Sequence, residues 1–319
     1  MAFVIPVTEE QYSLIAKICT PLLVISLFST STLFTIFTLI RIYYPNLADR
    51  VSFRLTFAAL FCDIGYSGHI LYGLFWDKPS ETSDSPCAYA TWATVFFTLS
   101  SLFFIVCIVC NLHIIFVREY RIRYNFERYY FIISIFLALL ISLLPLINNM
   151  YGYDTVELSC WYRDSGQLDN IIWQWATLFV WVIAAILYCA FVVTMVIRKL
   201  QSATKNGDHL DSSQVSDYPT LINKTLISSV VRRVIWYPLV PLAVQFFNSF
   251  AETYTYVHSE VNYKLLLLCD IGLSLQGINV LFLLFEHPLI ILVYFSNVLH
   301  LRITEYLNIF PRYCCYSCF

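Results

Sequence analysis

Two acidic residues lie inside strongly apolar stretches of the chain. Asp63 stands in FCDIGYSGH and Asp270 in LLCDIGLSLQG. An ionised carboxylate is costly in hydrocarbon, so both side chains are expected to face the interior of a helical bundle. We expect Asp63 to act as a conformational switch or a cation site. Asp270, nearer the outer end of its helix, is expected to contact a ligand.

Amide and imidazole side chains recur at similar depths in the other apolar stretches. They are His69, Asn111, Gln245, Asn248, Gln276 and Asn279. Together with the two acids they predict a polar seam inside the bundle. One alternative stays open: the Asn and Gln side chains only join neighbouring helices through hydrogen bonds, each worth about 0.6 kcal/mol.

Seven hydrophobic stretches must position these residues. A bilayer core is about 30 Å thick, and a helix needs roughly 20 mainly apolar residues to cross it. The chain therefore predicts an all-α membrane protein, a seven-transmembrane-helix bundle. We place the spans at residues 13–40, 54–76, 88–117, 129–150, 171–197, 231–254 and 263–286.

The composition supports the membrane class and excludes several others. Hydrophobic residues make up 59% of the 319 residues and charged residues only 13%, whereas a soluble domain carries about 25% charged residues. The net charge of −2 gives no reason to expect a nucleic-acid partner. Most cysteines, such as Cys107 and Cys110, fall inside apolar stretches and are expected to be small core residues, so we expect no metal site, and nothing in the chain indicates a cofactor.

The basic residues predict the orientation in the bilayer. With the N-terminus outside and the C-terminus inside, fifteen of the nineteen Lys and Arg residues fall on the inner side. This asymmetry is the pattern of the positive-inside rule. The protein is therefore expected to be a multi-pass protein with outer loops in an oxidising compartment.

Cys87 and Cys160 are the two cysteines placed clearly outside by this topology. Cys87 begins the third span, and Cys160 lies in the loop between the fourth and fifth spans. We predict a disulfide between them, which ties this loop to the top of the third helix. The alternative is a pair of free thiols.

Basic clusters occur at the inner ends of the third and sixth spans. Arg118 and Arg121 follow the third span, and Arg232 and Arg233 begin the sixth. They are expected to face a cytoplasmic partner protein, or else to serve only as topology signals at the lipid headgroups.

Cysteines also cluster at the end of the chain. Such juxtamembrane cysteines are candidates for S-palmitoylation, with reduced thiols as the alternative. The three residues are Cys314, Cys315 and Cys318.

Several segments carry a resemblance to a known family. They are RVSFRLTFAALFCDIGYS, NLHIIFVRE, RRVIWYPLVPLAVQFFNS and SLQGINVLF. The chain resembles the fungal cyclic-AMP-receptor-like and glucose-sensing G protein-coupled receptors, which are related to the slime-mould cyclic-AMP receptors. Rhodopsin-class switch motifs are absent: Arg118-Glu119-Tyr120 only shares residue types with Asp-Arg-Tyr.

The resemblance implies a plasma-membrane receptor, not an enzyme. It would bind an extracellular nutrient or other small molecule and signal to a heterotrimeric G protein (Gα), acting on the cyclic-AMP pathway. Residues 1–295 would form the receptor domain. Residues 296–319 would form a short cytoplasmic tail, including an apolar segment able to lie along the inner leaflet.

Three other functions are alternatives for a chain with these apolar stretches. A polytopic membrane transporter or channel would also explain buried acids, but it predicts a continuous polar pathway or paired broken helices. A retinal protein needs a lysine midway along the seventh span, whereas Lys264 stands at its mouth. An intramembrane enzyme is disfavoured because no nucleophile–base pair or His-Glu-x-x-His motif occurs, and no catalytic residue is assigned.

Overall fold

The computed structural model of the chain describes residues 6–45, 49, 51–75, 84–116, 125–207, 243–258, 260–275 and 277. All of them belong to one unit, Met1–Val280. A second unit, Leu281–Phe319, lies outside the described residues.

Helices dominate the described residues, with one pair of short strands. In chain order the elements are α1 (Glu9–Tyr43), α2 (Val51–Phe75), α3 (Ser85–Phe116), α4 (Asn125–Ile147), β1 (Tyr151–Asp154), β2 (Ser159–Tyr162), α5 (Leu168–Gln174, a π-helical turn Trp175–Phe179, then Val180–Gly207), α6 (residues 243–258) and α7 (Tyr263–Ser274).

Local sequence fixes where α1 and α7 begin. Thr8 and Gln11 form a capping box: the Thr8 hydroxyl accepts the Gln11 amide at 3.3 Å, and the Gln11 side chain accepts the Thr8 amide at 3.2 Å. At α7, the Asn262 side chain accepts the amides of Lys264 and Leu265. Both caps satisfy amides that the first helical turn leaves without intrahelical partners.

Four helices in the described part of the chain are long and apolar enough to cross a membrane: Glu9–Tyr43, Ser85–Ile114, Glu127–Ile147 and Leu168–Lys199. Large apolar side chains also point outward from them, including Phe28, Ile132 and Leu187 at 74%, 64% and 66% exposure. A soluble protein would bury such side chains, whereas lipid accommodates them. The membrane class predicted from composition is supported.

The seven-span arrangement stays a prediction. The second predicted span is the 25-residue helix α2. Of the sixth and seventh spans, residues 231–242 and most of 276–286 lie outside the described residues. Helix α6 continues to residue 258, four residues beyond the predicted end.

Helix α3 occupies the middle of the described helices. It packs against α2, α4, α5 and both strands, while α1 packs against α2 and α7. Its inward side chains are fully buried, with Val95 and Leu99 at 0% exposure. Helix α6 contacts α7, where the Cys269 thiol lies 3.5 Å from the Phe247 carbonyl oxygen.

The strands depart from the all-α prediction. Strands β1 and β2 form an antiparallel hairpin between α4 and α5, in which Tyr151 pairs with Tyr162 and Asp154 with Ser159. Both terminal tyrosines are at most 1% exposed and contact each other edge to face. The predicted outer loop is therefore an ordered, packed hairpin.

Candidate functional site

The hairpin is tied to the start of α3 by a disulfide. Cys87 and Cys160 are bonded, with their Cα atoms 5.2 Å apart, as the sequence predicts. Because Cys160 lies within β2, where it pairs with Tyr153, the bond attaches the paired strands themselves to α3.

An ion pair makes a second attachment beside the disulfide. Asp84, which precedes α3, pairs with Arg163 and also accepts the Tyr153 amide at 3.0 Å. Arg163 in turn donates to the Tyr151 carbonyl oxygen at 2.9 Å. A side chain at Gly152 would overlap both members of the ion pair, so this close approach requires glycine.

Asp154 holds the turn of the hairpin. It is fully buried, and its carboxylate accepts the amides of Glu157 at 3.1 Å and Ser165 at 3.2 Å. Burial raises the pKa of Asp154, and these hydrogen bonds act against that increase. The N-terminal segment also contacts the turn, where the Val7 amide donates to the Val156 carbonyl oxygen.

We expect Asp154→Ala to destabilise the protein, since two buried amides lose their acceptor at about 1–3 kcal/mol each. Asp154→Asn keeps one carbonyl oxygen and should lose about half as much. Thermal melting of the purified full chain in detergent measures the effect. An alanine variant that melts with the wild type would show that the turn holds itself without this carboxylate.

A cavity of about 180 Å³ lies beneath the hairpin. Its wall includes side chains from α1, α2, α3, α5, α6, α7 and the hairpin itself. Apolar residues such as Ile15 and Leu266 provide part of the lining, and the aromatic residues Tyr12, Tyr66 and Trp161 provide another part.

Three carboxylic side chains line this cavity: Glu157 in the hairpin turn, Glu252 on α6 and Asp270 on α7. Glu157 is only 7% exposed. Burial, and then the negative charges of Glu252, Asp154 and Asp270, raise the pKa of Glu157 well above its ordinary value. The cavity therefore brings three acidic side chains together, and its described lining contains no Lys or Arg to pair with them.

A chain of hydrogen bonds joins the hairpin to α6 through α5. Asn170 donates to the Tyr162 carbonyl oxygen at 3.0 Å, Gln174 donates to the Asn170 side-chain oxygen at 2.7 Å, and Gln174 also donates to Glu252 at 3.2 Å. The π-helical turn Trp175–Phe179 begins directly after Gln174. Such turns occur frequently at functional sites.

The predicted polar seam is only partly reproduced. The structure places four of its residues in the cavity wall: His69, Gln245, Asn248 and Asp270. Gln276 and Asn279 lie outside the described residues.

His69 is positioned by its neighbours on α2 and α3. Its Nδ1 lies 2.7 Å from the Gly65 carbonyl oxygen and its Nε2 lies 3.4 Å from the Tyr89 hydroxyl. A proton on Nδ1 satisfies the Gly65 carbonyl oxygen, and the Tyr89 hydroxyl can either donate to Nε2 or accept from it. The ring also stacks on Phe97.

Asp63 and Asn111 face neighbouring helices and are not part of the cavity wall. Asp63 is 5% exposed and accepts the Ser101 hydroxyl at 2.8 Å, and Asn111 donates to the Ser52 hydroxyl at 3.1 Å. Both bonds join α2 to α3. For Asn111 this is the interhelical role that the sequence analysis left open.

Sequence reasoning overlooked two cavity residues of the hairpin, Glu157 and Trp161, and did not assign Glu252 to a site. A usable signal was present for the first two. Both lie within three residues of Cys160, and the predicted disulfide places neighbours of Cys160 above the bundle.

The remaining predicted site residues lie outside the described residues. These are the basic residues Arg118, Arg121, Arg232 and Arg233 and the tail cysteines Cys314, Cys315 and Cys318.

Comparison with known proteins gives one local and one overall similarity. No protein-family model matches the chain. Fifty residues are 42% identical to the Frizzled/smoothened-like sans CRD protein A of Dictyostelium discoideum, a match that covers 16% of this chain and 9% of that protein.

The overall similarity is to a solved structure. The crystal structure of squid rhodopsin matches with a TM-score of 0.59 and 12% sequence identity, over 87% of this chain and 78% of the rhodopsin chain. At that identity the match establishes the fold alone. The chain has the helical fold of rhodopsin, and its narrower resemblance to the fungal cyclic-AMP-receptor-like group remains a prediction.

Proposed function

We propose that this protein is a G protein-coupled receptor that transmits an extracellular small-molecule signal to a heterotrimeric G protein, acting on the cyclic-AMP pathway. The rhodopsin-like fold supports the receptor class. The local similarity to a Frizzled/smoothened-like protein agrees with it. In this proposal the protein lies in the plasma membrane with the N-terminus and the hairpin outside.

The cavity beneath the tethered hairpin is the observation that carries the proposal. A ligand there would meet Glu252 of α6 and Asp270 of α7 directly, and α5 through the Gln174–Glu252 hydrogen bond. If the ligand binds one arrangement of these helices better than another, it shifts the population toward that arrangement. The ligand site is thereby coupled to the helices that must move.

The inner ends of the helices supply the proposed G protein surface. Arg118 and Arg121 follow α3, and Arg232 and Arg233 precede α6 in the chain. Pro238 and Pro241 lie between that second pair and the described part of α6, and prolines favour a kink in a helix. Movement of α6 around such a kink would expose an inner cleft to Gα.

Asp63 is proposed to bias the switch from within the bundle. Its hydrogen bond from Ser101 joins α2 to α3, away from the cavity wall. A ligand need not touch this residue for its protonation or bonding to favour one packing of the two helices over the other.

The decisive experiment is guanine-nucleotide exchange on a panel of fungal Gα subunits, in membranes with and without the full-length protein. We expect exchange to rise when the protein is present. The variant Arg232→Ala with Arg233→Ala should lower that exchange severalfold without lowering surface expression, because two charges facing Gα are removed.

A matched control removes two charges from the stretch between the predicted fifth and sixth spans, as Lys205→Ala with Lys224→Ala. Undiminished exchange in the arginine variant would show that Arg232 and Arg233 are not part of the Gα contact. No exchange on any Gα, together with solute or ion flux in proteoliposomes, would instead establish a transporter or channel.

A further inference from the structure

The cavity is acidic, with little positive charge to balance it. Glu157, Glu252 and Asp270 line it from three different elements. Among its described lining residues, the basic side chain is His69, and none is Lys or Arg. Acidic side chains that are buried together normally pair with a cation or hold their protons, and the described lining of this cavity offers no Lys or Arg as a partner.

Several of these polar groups also lack hydrogen-bond partners. Within the described part of the chain, no donor reaches the carboxylate of Glu157, which is 7% exposed. The side-chain amides of Gln245 and Asn248, 6% and 9% exposed, likewise have no partner among the described residues. Buried polar groups are rarely left in this state unless a ligand or water completes them.

The volume limits what the cavity can hold. An engineered cavity of about 150 Å³ in another protein binds benzene. A space of about 180 Å³ therefore admits a molecule somewhat larger than benzene. A cyclic nucleotide is much larger, and its phosphate would meet three carboxylates.

The spacing of the acids favours an extended cation over a bare metal ion. Among the described residues, no group of three His, Cys, Asp or Glu side chains is arranged to hold one metal ion. The aromatic residues Tyr12, Tyr66 and Trp161 share the wall, and aromatic faces attract organic cations.

We infer that this cavity binds a small organic cation, an amine or guanidine, whose charged end lies among Glu157, Glu252 and Asp270. The inference deepens the proposed receptor function and rests on it for taking the cavity as the ligand site. Amide groups of Gln245 and Asn248 would accept or donate hydrogen bonds to the rest of the molecule.

Thermal melting of the purified full-length protein in detergent tests this binding. The probes are agmatine, tyramine and choline, with glucose as a neutral and cyclic AMP as an anionic comparator. We expect at least one amine to raise the melting temperature with saturation, and neither comparator to do so.

Two variants assign the effect to the cavity. Glu252→Gln still accepts the Gln174 side chain, and Asp270→Asn loses no hydrogen bond within the described residues, so both should fold. Each should weaken the amine by roughly ten- to hundredfold, the usual worth of a charged hydrogen bond. Asp164→Asn, which neutralises an exposed acid beyond the hairpin, is the matched control and should leave the affinity unchanged.

Each contrary result overturns the inference. These results are the absence of stabilisation by any of the three amines, stabilisation by glucose or cyclic AMP instead, and unchanged amine affinity in both acid variants. Nucleotide exchange is scored separately. Amine binding without exchange on any Gα would support the cation site and contradict the receptor function. Exchange without amine binding would support the receptor function and contradict the cation site.

Discussion

Replacing Cys87 and Cys160 with serine should lower the free energy of unfolding by about 4 kcal/mol, the chain-entropy value for a bond that closes a long loop. The two residues are separated by 73 positions, so the crosslink removes many conformations from the unfolded chain. The expected results are a lower melting temperature of the purified protein and faster amide hydrogen exchange in residues 151–162.

A reducing agent provides the control for this prediction. It should lower the melting temperature of the wild type and leave the serine variant unchanged, because the other described cysteines are free. The Asp84–Arg163 ion pair remains in the variant and should keep part of the hairpin attached. A serine variant that melts with the wild type would show that this ion pair and the local packing suffice.

Glu157→Gln should stabilise the protein at pH 8 and reduce the dependence of its stability on pH. The unfolded chain releases the Glu157 proton near pH 4.5, the ordinary value. The folded protein holds that proton to a higher pH, since burial and the neighbouring acids raise the pKa of Glu157. Folding therefore takes up a proton between these two values, and the free energy of unfolding falls as the pH rises through this interval.

The size of the effect follows from the shift, at about 1.4 kcal/mol for each pKa unit. Melting temperatures at about pH 5, 6.5 and 8 measure it. Other ionisable groups lie near the cavity, so the comparison is between variant and wild type. These groups are Asp154, Glu252, Asp270, His69, Tyr12, Tyr66 and Cys19.

Asp164→Asn serves as the control, because Asp164 is exposed and lies outside the cavity wall. It should keep the wild-type slope of stability against pH. A Glu157→Gln variant with that same slope, or with lower stability at pH 8, would contradict the prediction that the ionised Glu157 side chain destabilises the folded protein.

The helices and the disulfide were accessible from the sequence for simple physical reasons. Long apolar stretches have few alternatives to helix in a bilayer, because every backbone polar group must be paired internally. The charge asymmetry predicts which side is outside, and under that prediction two outer cysteines are expected to pair. The hairpin was not predicted, since strands of four residues give too short an alternating pattern to distinguish from an irregular loop.

The composition of the cavity depended on the tertiary structure. Asp63 and Asp270 stand in the same local sequence, Cys-Asp-Ile-Gly-x-Ser, and sequence reasoning placed both in one polar seam. The structure separates them: Asp63 bonds Ser101 on α3, whereas Asp270 lines the cavity with Glu157 and Glu252.

The sequence by itself determined that Asp63 and Asp270 lie on helices and avoid lipid. Only the tertiary structure decided what each one faces, because the rotation of a helix about its axis is set by its packing partners. Gly65 lies against Phe97 of α3 and Gly272 against Val244 of α6, so identical motifs are oriented by different neighbours. Glu157 likewise reaches the cavity because the bond from Cys160 to Cys87, 73 positions away in the chain, holds the hairpin over the bundle.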